Sequence, residues 1–100
     1  MYSMIKLTTK DDLKYEGYKT TAYPIGDPKV TGFPDATPFD KMEIEEVLYI
    51  INEVRSKLNI LNPIYVDIIE RFIRLFMPKH IVTQIQAFNW VILALDYSEL

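Results

Sequence analysis

Apolar residues change their rhythm at residue 40. After it they recur with the period of an α-helix; before it they fall in short, partly alternating runs broken by Pro and Gly. Over 40–58, a step of about 100° per residue puts Ile44, Val47, Leu48, Ile51, Val54 and Leu58 on one stripe, with Glu45, Glu46, Asn52, Glu53 and Ser56 opposite. The run Asp-Lys-Met-Glu at 40–43 reads as a capping box, the Asp40 carboxylate accepting from the Glu43 N–H and the Glu43 side chain bonding back. Glu43, Glu45 and Glu46 then lie at the positive end of the helix dipole. Arg55 interrupts the apolar stripe, and an arginine so placed near a helix end is expected to snorkel or to pair with a carboxylate, an anion site being the rarer use.

Asn62 followed by Pro63 predicts a second helix over 62–77, because Pro is pre-shaped for the first helical turn. Its charged stripe is narrow, with Asp67 and Arg71, and Glu70 and Arg74, at ion-pair spacing. The remaining residues from Ile64 to Met77 are apolar, which predicts cover on more than one side. Pro78 removes a backbone donor and predicts a corner, followed by a third helix over 79–96. That helix carries one stripe suited to a core, Ile81, Ile85, Phe88, Ile92 and Leu95. Its second face holds Val82, Trp90 and Leu93 beside Gln86 and Asn89, with no charged residue between His80 and Leu95.

The block before residue 40 is different. Segments 3–9 and 18–25 are rich in Tyr, Thr and Ile and read as two short strands, joined through 10–17 into a β-hairpin. Segment 22–40 then holds four of the six prolines, at 24, 28, 34 and 38, and two of the three glycines. Proline stiffens the chain and keeps its predecessor extended, so this segment predicts a preordered strap rather than a flexible linker. It carries Tyr23, Ile25, Val30, Phe33 and Phe39 as apolar anchors and lacks the PxxP spacing of SH3 ligands. The expected fold is mainly α: a three-helix bundle-like core (about 40–58, 62–77 and 79–96) with a short N-terminal β-hairpin and an extended Pro-rich strap. One domain spans 1–100, with 1–39 as the β/extended block and 40–100 as the helical core.

Composition narrows the function classes. A chain of 100 residues supports one core, and 49% apolar with 25% charged residues matches an ordinary globular protein. There is no cysteine, hence no disulfide framework, thiolate nucleophile or Cys-based metal site. The first residues lack the apolar core of a signal peptide, and the uncharged run 80–95 is shorter than the ~20 residues of a membrane-spanning helix. A cytoplasmic setting without membrane partners is expected. The net charge of −3 is spread evenly, five Lys against six acids over 1–40 and six basic against eight acidic residues over 41–100, so phosphate backbones find little attraction.

Catalytic patterns are absent. The single histidine, His80, excludes a multi-histidine zinc site from one chain. Ser3, Ser56 and Ser98 sit in no nucleophile elbow, and Gly17, Gly26 and Gly32 have neither Walker nor dinucleotide spacing. Adjacent Asp11 and Asp12, like Glu45 and Glu46, read as solvated pairs. No cofactor, metal or small-molecule substrate is inferred, and a small enzyme with an unrecognised site ranks third. Second is a single-stranded nucleic-acid binder, in which Lys6, Lys10, Lys14 and Lys19 interleave with Tyr15, Tyr18 and Tyr23 as a stacking platform. Asp11, Asp12 and Glu16 cancel most of that charge. First is a non-catalytic protein-interaction or self-assembly module, an assembly component or an inhibitor of a larger protein. It binds a protein partner or its own copies through Tyr23, Phe33 and Phe39 of the strap and Val82, Gln86, Asn89, Trp90 and Leu93 of the third helix.

Overall fold

The computed structural model describes residues 7–98, with side chains up to 96. It is mainly helical: after a 3₁₀ turn at Lys10–Asp12 come α1 (Ile44–Leu58), α2 (Ile64–Arg71) running into a single π turn (Phe72–Phe76), and α3 (Gln84–Ser98). The core joins Val47, Ile50, Ile51 and Val54 of α1 to Val66, Ile69, Ile73 and Met77 of the second segment and Ala87, Val91 and Leu95 of α3. Truncating any of the fully buried isoleucines, Ile50, Ile51, Ile69 or Ile73, to Ala would cost roughly 2–5 kcal/mol through lost burial and the cavity left behind.

The expected hairpin is not present. The described residues contain no strand, only isolated bridges of Lys19 with Glu43 and of Pro38 with Thr83, and residues 3–6 of the first strand candidate lie outside them. The N-terminal arm is extended, and apart from the 3₁₀ turn and Lys19, whose N–H and carbonyl pair with the Met42 carbonyl and the Ile44 N–H, its paired backbone donors go to side chains of the helical core instead of to a second strand. The Thr8 N–H donates to Asn52 Oδ1 at 2.8 Å, and the Lys14 and Tyr15 N–H groups donate to the Glu70 carboxylate at 2.9 and 3.2 Å. Tyr and Thr here follow the surface of the bundle, which satisfies their backbone as a sheet would.

Helix boundaries also moved. α1 starts at Ile44, not at 40, because Asp40 does not cap it: Asp40 Oδ1 accepts from the Met42 N–H, while the Glu43 carboxylate turns to the Thr21 hydroxyl and N–H. α1 ends in a left-handed Asn59, whose N–H returns to Arg55 and Ser56 carbonyls. At the start of α2, Asn62 Oδ1 accepts from the Ile64 N–H, in line with the cap expected there. The segment ends as expected before Pro78, the Met77 N–H reaching back five residues to the Phe72 carbonyl. α3 starts at Gln84 instead of 79, and Thr83 with Gln86 is its capping box: Thr83 Oγ1 accepts from the Gln86 N–H, and Gln86 Oε1 accepts from the Val82 and Thr83 N–H groups.

The Pro-rich segment ends on the N-terminus of α3. The Gln84 and Ile85 N–H groups, orphaned at a helix start, donate to the Thr37 and Asp35 carbonyls at 2.9 Å each. The fully buried Gln84 amide donates to the Pro28 carbonyl and accepts from the Asp35 N–H, and Tyr49 Oη donates to the Gly32 carbonyl at 2.6 Å. Gly32 has φ +78°, a left-handed conformation that glycine adopts without strain.

Candidate functional site

Three glutamates expected on solvent-facing or cap positions lie inside the molecule. Glu70, fully buried, accepts from the Lys14 and Tyr15 N–H groups and from Tyr18 Oη at 2.7 Å, which replaces the expected pair with Arg74. Glu46 accepts from Tyr23 Oη and the Asp40 N–H, and Glu43 holds Thr21. Arg74 instead stacks on the faces of Tyr18 and Tyr15, its guanidinium carbon 4.4 and 5.5 Å from the ring centres, and donates to the Glu16 carbonyl. Arg55 is buried and donates to Thr8 Oγ1 and to the carbonyls of Ile60 and Leu61, tying the arm to the α1–α2 turn. The glutamates accept from, and the two arginines donate to, backbone groups or hydroxyls of the chain before α1, so these charges serve to attach the arm.

The same bonds occupy the Tyr/Lys block. Lys10, Lys14 and Lys19 pair with Glu45, Asp67 and Asp40, and the Tyr18 and Tyr23 hydroxyls end on glutamates; Lys6 lies outside the described residues. Burial, then the bonded glutamate, pushes the Tyr18 and Tyr23 hydroxyls well above the usual tyrosine range. Burial, with the charges of Glu53 and Asp35, pushes Tyr49 up to about 12, and burial alone raises the Glu53 carboxyl. His80 is exposed, and among the described residues no group of three or more His, Asp or Glu side chains could hold a metal ion. No described helix is long and apolar enough to cross a membrane.

The outer face of α3 is the site that remains. The helix is turned by about 75° from the orientation its apolar stripe suggests, since Gln84, Ala87, Val91 and Leu95 point inward. Gln84 is drawn in by the Pro28 carbonyl and the Asp35 N–H, and the small Ala87 takes a core position between larger neighbours. Ile85, expected in the core, is consequently 37% exposed, and Ile81, Phe88 and Ile92 are half-buried. Val82, Gln86, Asn89 and Leu93 face out; Val82 is 54% and Leu93 57% exposed. Trp90 leans from this face onto the Phe72 ring, edge-on at 6.4 Å, and Phe72 meets Phe76 in the same way. Phe76 and Leu75 are themselves exposed, so the second segment lacks the all-round cover its composition predicts.

The three strap residues separate. Phe33 stands 87% exposed, Phe39 is in the core, and Tyr23 is half-buried with Lys29 over its ring. Sequence reasoning missed the exposed apolar residues around the α1–α2 turn: Leu58 lines a groove of about 320 Å³ with Ile60, Tyr65, Ile92 and Leu93, and the exposed Leu61 and Ile64 line a separate hollow with Leu7 and Val66. The uncharged, aliphatic-rich run 58–66, in which Leu58, Ile60, Leu61 and Ile64 crowd a turn marked by Asn59, Asn62 and Pro63, is the signal that could have found them. The chain matches no family model, no curated protein and no solved structure.

Proposed function

We propose that this chain is a non-catalytic protein-binding module whose binding surface is the outer face of α3, widened by Phe76 and Leu75 of the π turn. The Pro-rich segment acts as a strap over the chain's own α1 and α3, and its exposed Phe33 offers a secondary anchor. One observation carries the proposal: Ile85 and Leu93 of α3, Val82 just before it, and Leu75 and Phe76 of the π turn are exposed, and α3 has no charged residue before Asp96. Uncharged surface with an aromatic residue and amides is the make-up of interface centres, and monomers seldom expose it over a wide area. Phe39 and Tyr23 support the strap from within and are not contact residues in this account.

The test is affinity capture from cells with two baits, the wild-type chain and Leu93→Asp. Leu93 is exposed, so the substitution leaves the core intact and places a charge on the face. A protein retained by the first bait and lost from the second supports the proposal; identical captures refute it.

A further inference from the structure

Resting on the reading of this chain as a protein-binding module, we infer that the groove at the Pro78 corner seats an acidic peptide segment of the partner, an apolar side chain flanked by carboxylates. The end of the strap and the corner between the π turn and α3 enclose a groove of about 260 Å³. Phe39 and Met77, both members of the core, and the half-buried Ile81 give it apolar walls, and Asp40, Lys41 and Lys79 supply its charges. Sites for drug-sized ligands run from about 300 to 1,000 Å³, so this groove suits one or two side chains of a peptide laid across it.

Charge selects the occupant. Asp40 is engaged within the molecule, one carboxylate oxygen accepting from the Met42 N–H and the other paired with Lys19. Lys41 and Lys79 make no ion pair or hydrogen bond among the described residues, whereas Lys10, Lys14 and Lys19 of the arm are all paired. The groove therefore sets two unmatched cations beside apolar walls, on a molecule whose net charge is −3. Carboxylates flanking an apolar residue match that arrangement, and a basic segment is repelled by it.

The groove also continues the proposed binding face. Met77 follows the exposed Leu75 and Phe76, and Ile81 precedes the exposed Val82, so a single partner covers both.

The test is fluorescence anisotropy of a fluorescein-labelled peptide, Gly-Asp-Glu-Leu-Glu-Asp-Gly, titrated with the full chain at about 50 mM salt. Two control peptides replace the leucine by serine or all the acids by lysine. Lys79 is exposed and Lys41 is unpaired among the described residues, so Lys79→Glu and Lys41→Gln keep the fold, which circular dichroism checks. Expected is a dissociation constant of about 10 to 500 µM, weakened at least about fivefold by either peptide change and by either groove variant. Lys57→Glu, at an exposed lysine that does not line the groove, changes the net charge by as much as Lys79→Glu and should leave binding unaltered. No binding up to about 1 mM, a lysine peptide bound as tightly as the acidic one, or equal weakening by Lys57→Glu overturns the inference. A serine peptide bound as tightly as the parent reduces the groove to a plain anion site and overturns it too. A light-scattering mass near twice 11.8 kDa that Lys79→Glu returns to 11.8 kDa seats a second copy there instead. Leu93 does not line this groove, so the bait comparison decides the outer face of α3 by its own result.

Discussion

Glu70→Gln removes a charge and leaves shape almost unchanged, yet its cost should be large. Glu70 is fully buried, with Oε1 receiving the Lys14 N–H and Oε2 receiving the Tyr15 N–H and Tyr18 Oη. A glutamine keeps only one acceptor oxygen. In its better orientation that oxygen replaces Oε2, and the NH₂ group then faces the Lys14 N–H, donor against donor. One hydrogen bond to a charged group is lost, worth about 1.5–3 kcal/mol, the two retained bonds weaken, and a buried donor is left unpaired. The sum is about 2–4 kcal/mol, a large part of the ~5–15 kcal/mol that stabilises a domain. At ~4–8 °C per kcal/mol, the thermal midpoint should fall by about 10 °C or more. Urea unfolding followed by circular dichroism measures it, with Glu45→Gln as the control. Glu45 makes only a partly exposed pair with Lys10 at 3.5 Å, so that change should stay below about 1 kcal/mol. A Glu70→Gln variant within about 0.5 kcal/mol of wild type would refute the claim that this carboxylate holds the arm.

The other predictions concern the strap, the helix ends and pH. Gln84→Leu strands the Pro28 carbonyl and the Asp35 N–H, and should cost about 2–3 kcal/mol in chemical denaturation while raising amide exchange at Asp35. Asn59→Gly should stabilise by a few tenths to about 1 kcal/mol, because Asn59 sits at φ 54°, where glycine has no Cβ conflict. Tyr18, Tyr23 and Tyr49 hold their protons more tightly folded than unfolded, so above pH ~10 the unfolded chain binds fewer protons and stability falls as pH rises. Denaturation midpoints between about pH 9 and 12 should decline, with less decline in Tyr18→Phe. Burial raises the Glu53 carboxyl, so its ionised form opposes folding at neutral pH, and Glu53→Gln should be slightly more stable than wild type at pH 7, the advantage shrinking as acid protonates Glu53.

Helical periodicity alone located three helical stretches and the uncharged face of α3, because those depend on residues close in sequence. Boundaries and polar contacts were less legible, since they depend on partners far along the chain. Glu70 stands at ion-pair spacing from Arg74, which would decide its partner on an isolated helix; the arm supplies donors from residues 14, 15 and 18 instead. Asp40 looked like a cap because its sequence fits one, but Lys19 takes its carboxylate and the Asp40 N–H goes to Glu46. The T-x-x-Q run at 83–86 was a readable start signal for α3, and its position explains the displaced boundary. Gln84 turned α3 through a bond to Pro28, and periodicity has no term for such a contact.

Photo-crosslinking tests the binding face most directly. With a benzophenone side chain in place of Leu93, and in a separate chain in place of the exposed Thr20 as control, irradiation in cells should give one discrete protein adduct from position 93 and none from position 20. No discrete adduct at 93, or the same adduct from both positions, would contradict the assignment of the outer face of α3 as the site where this protein meets its partner.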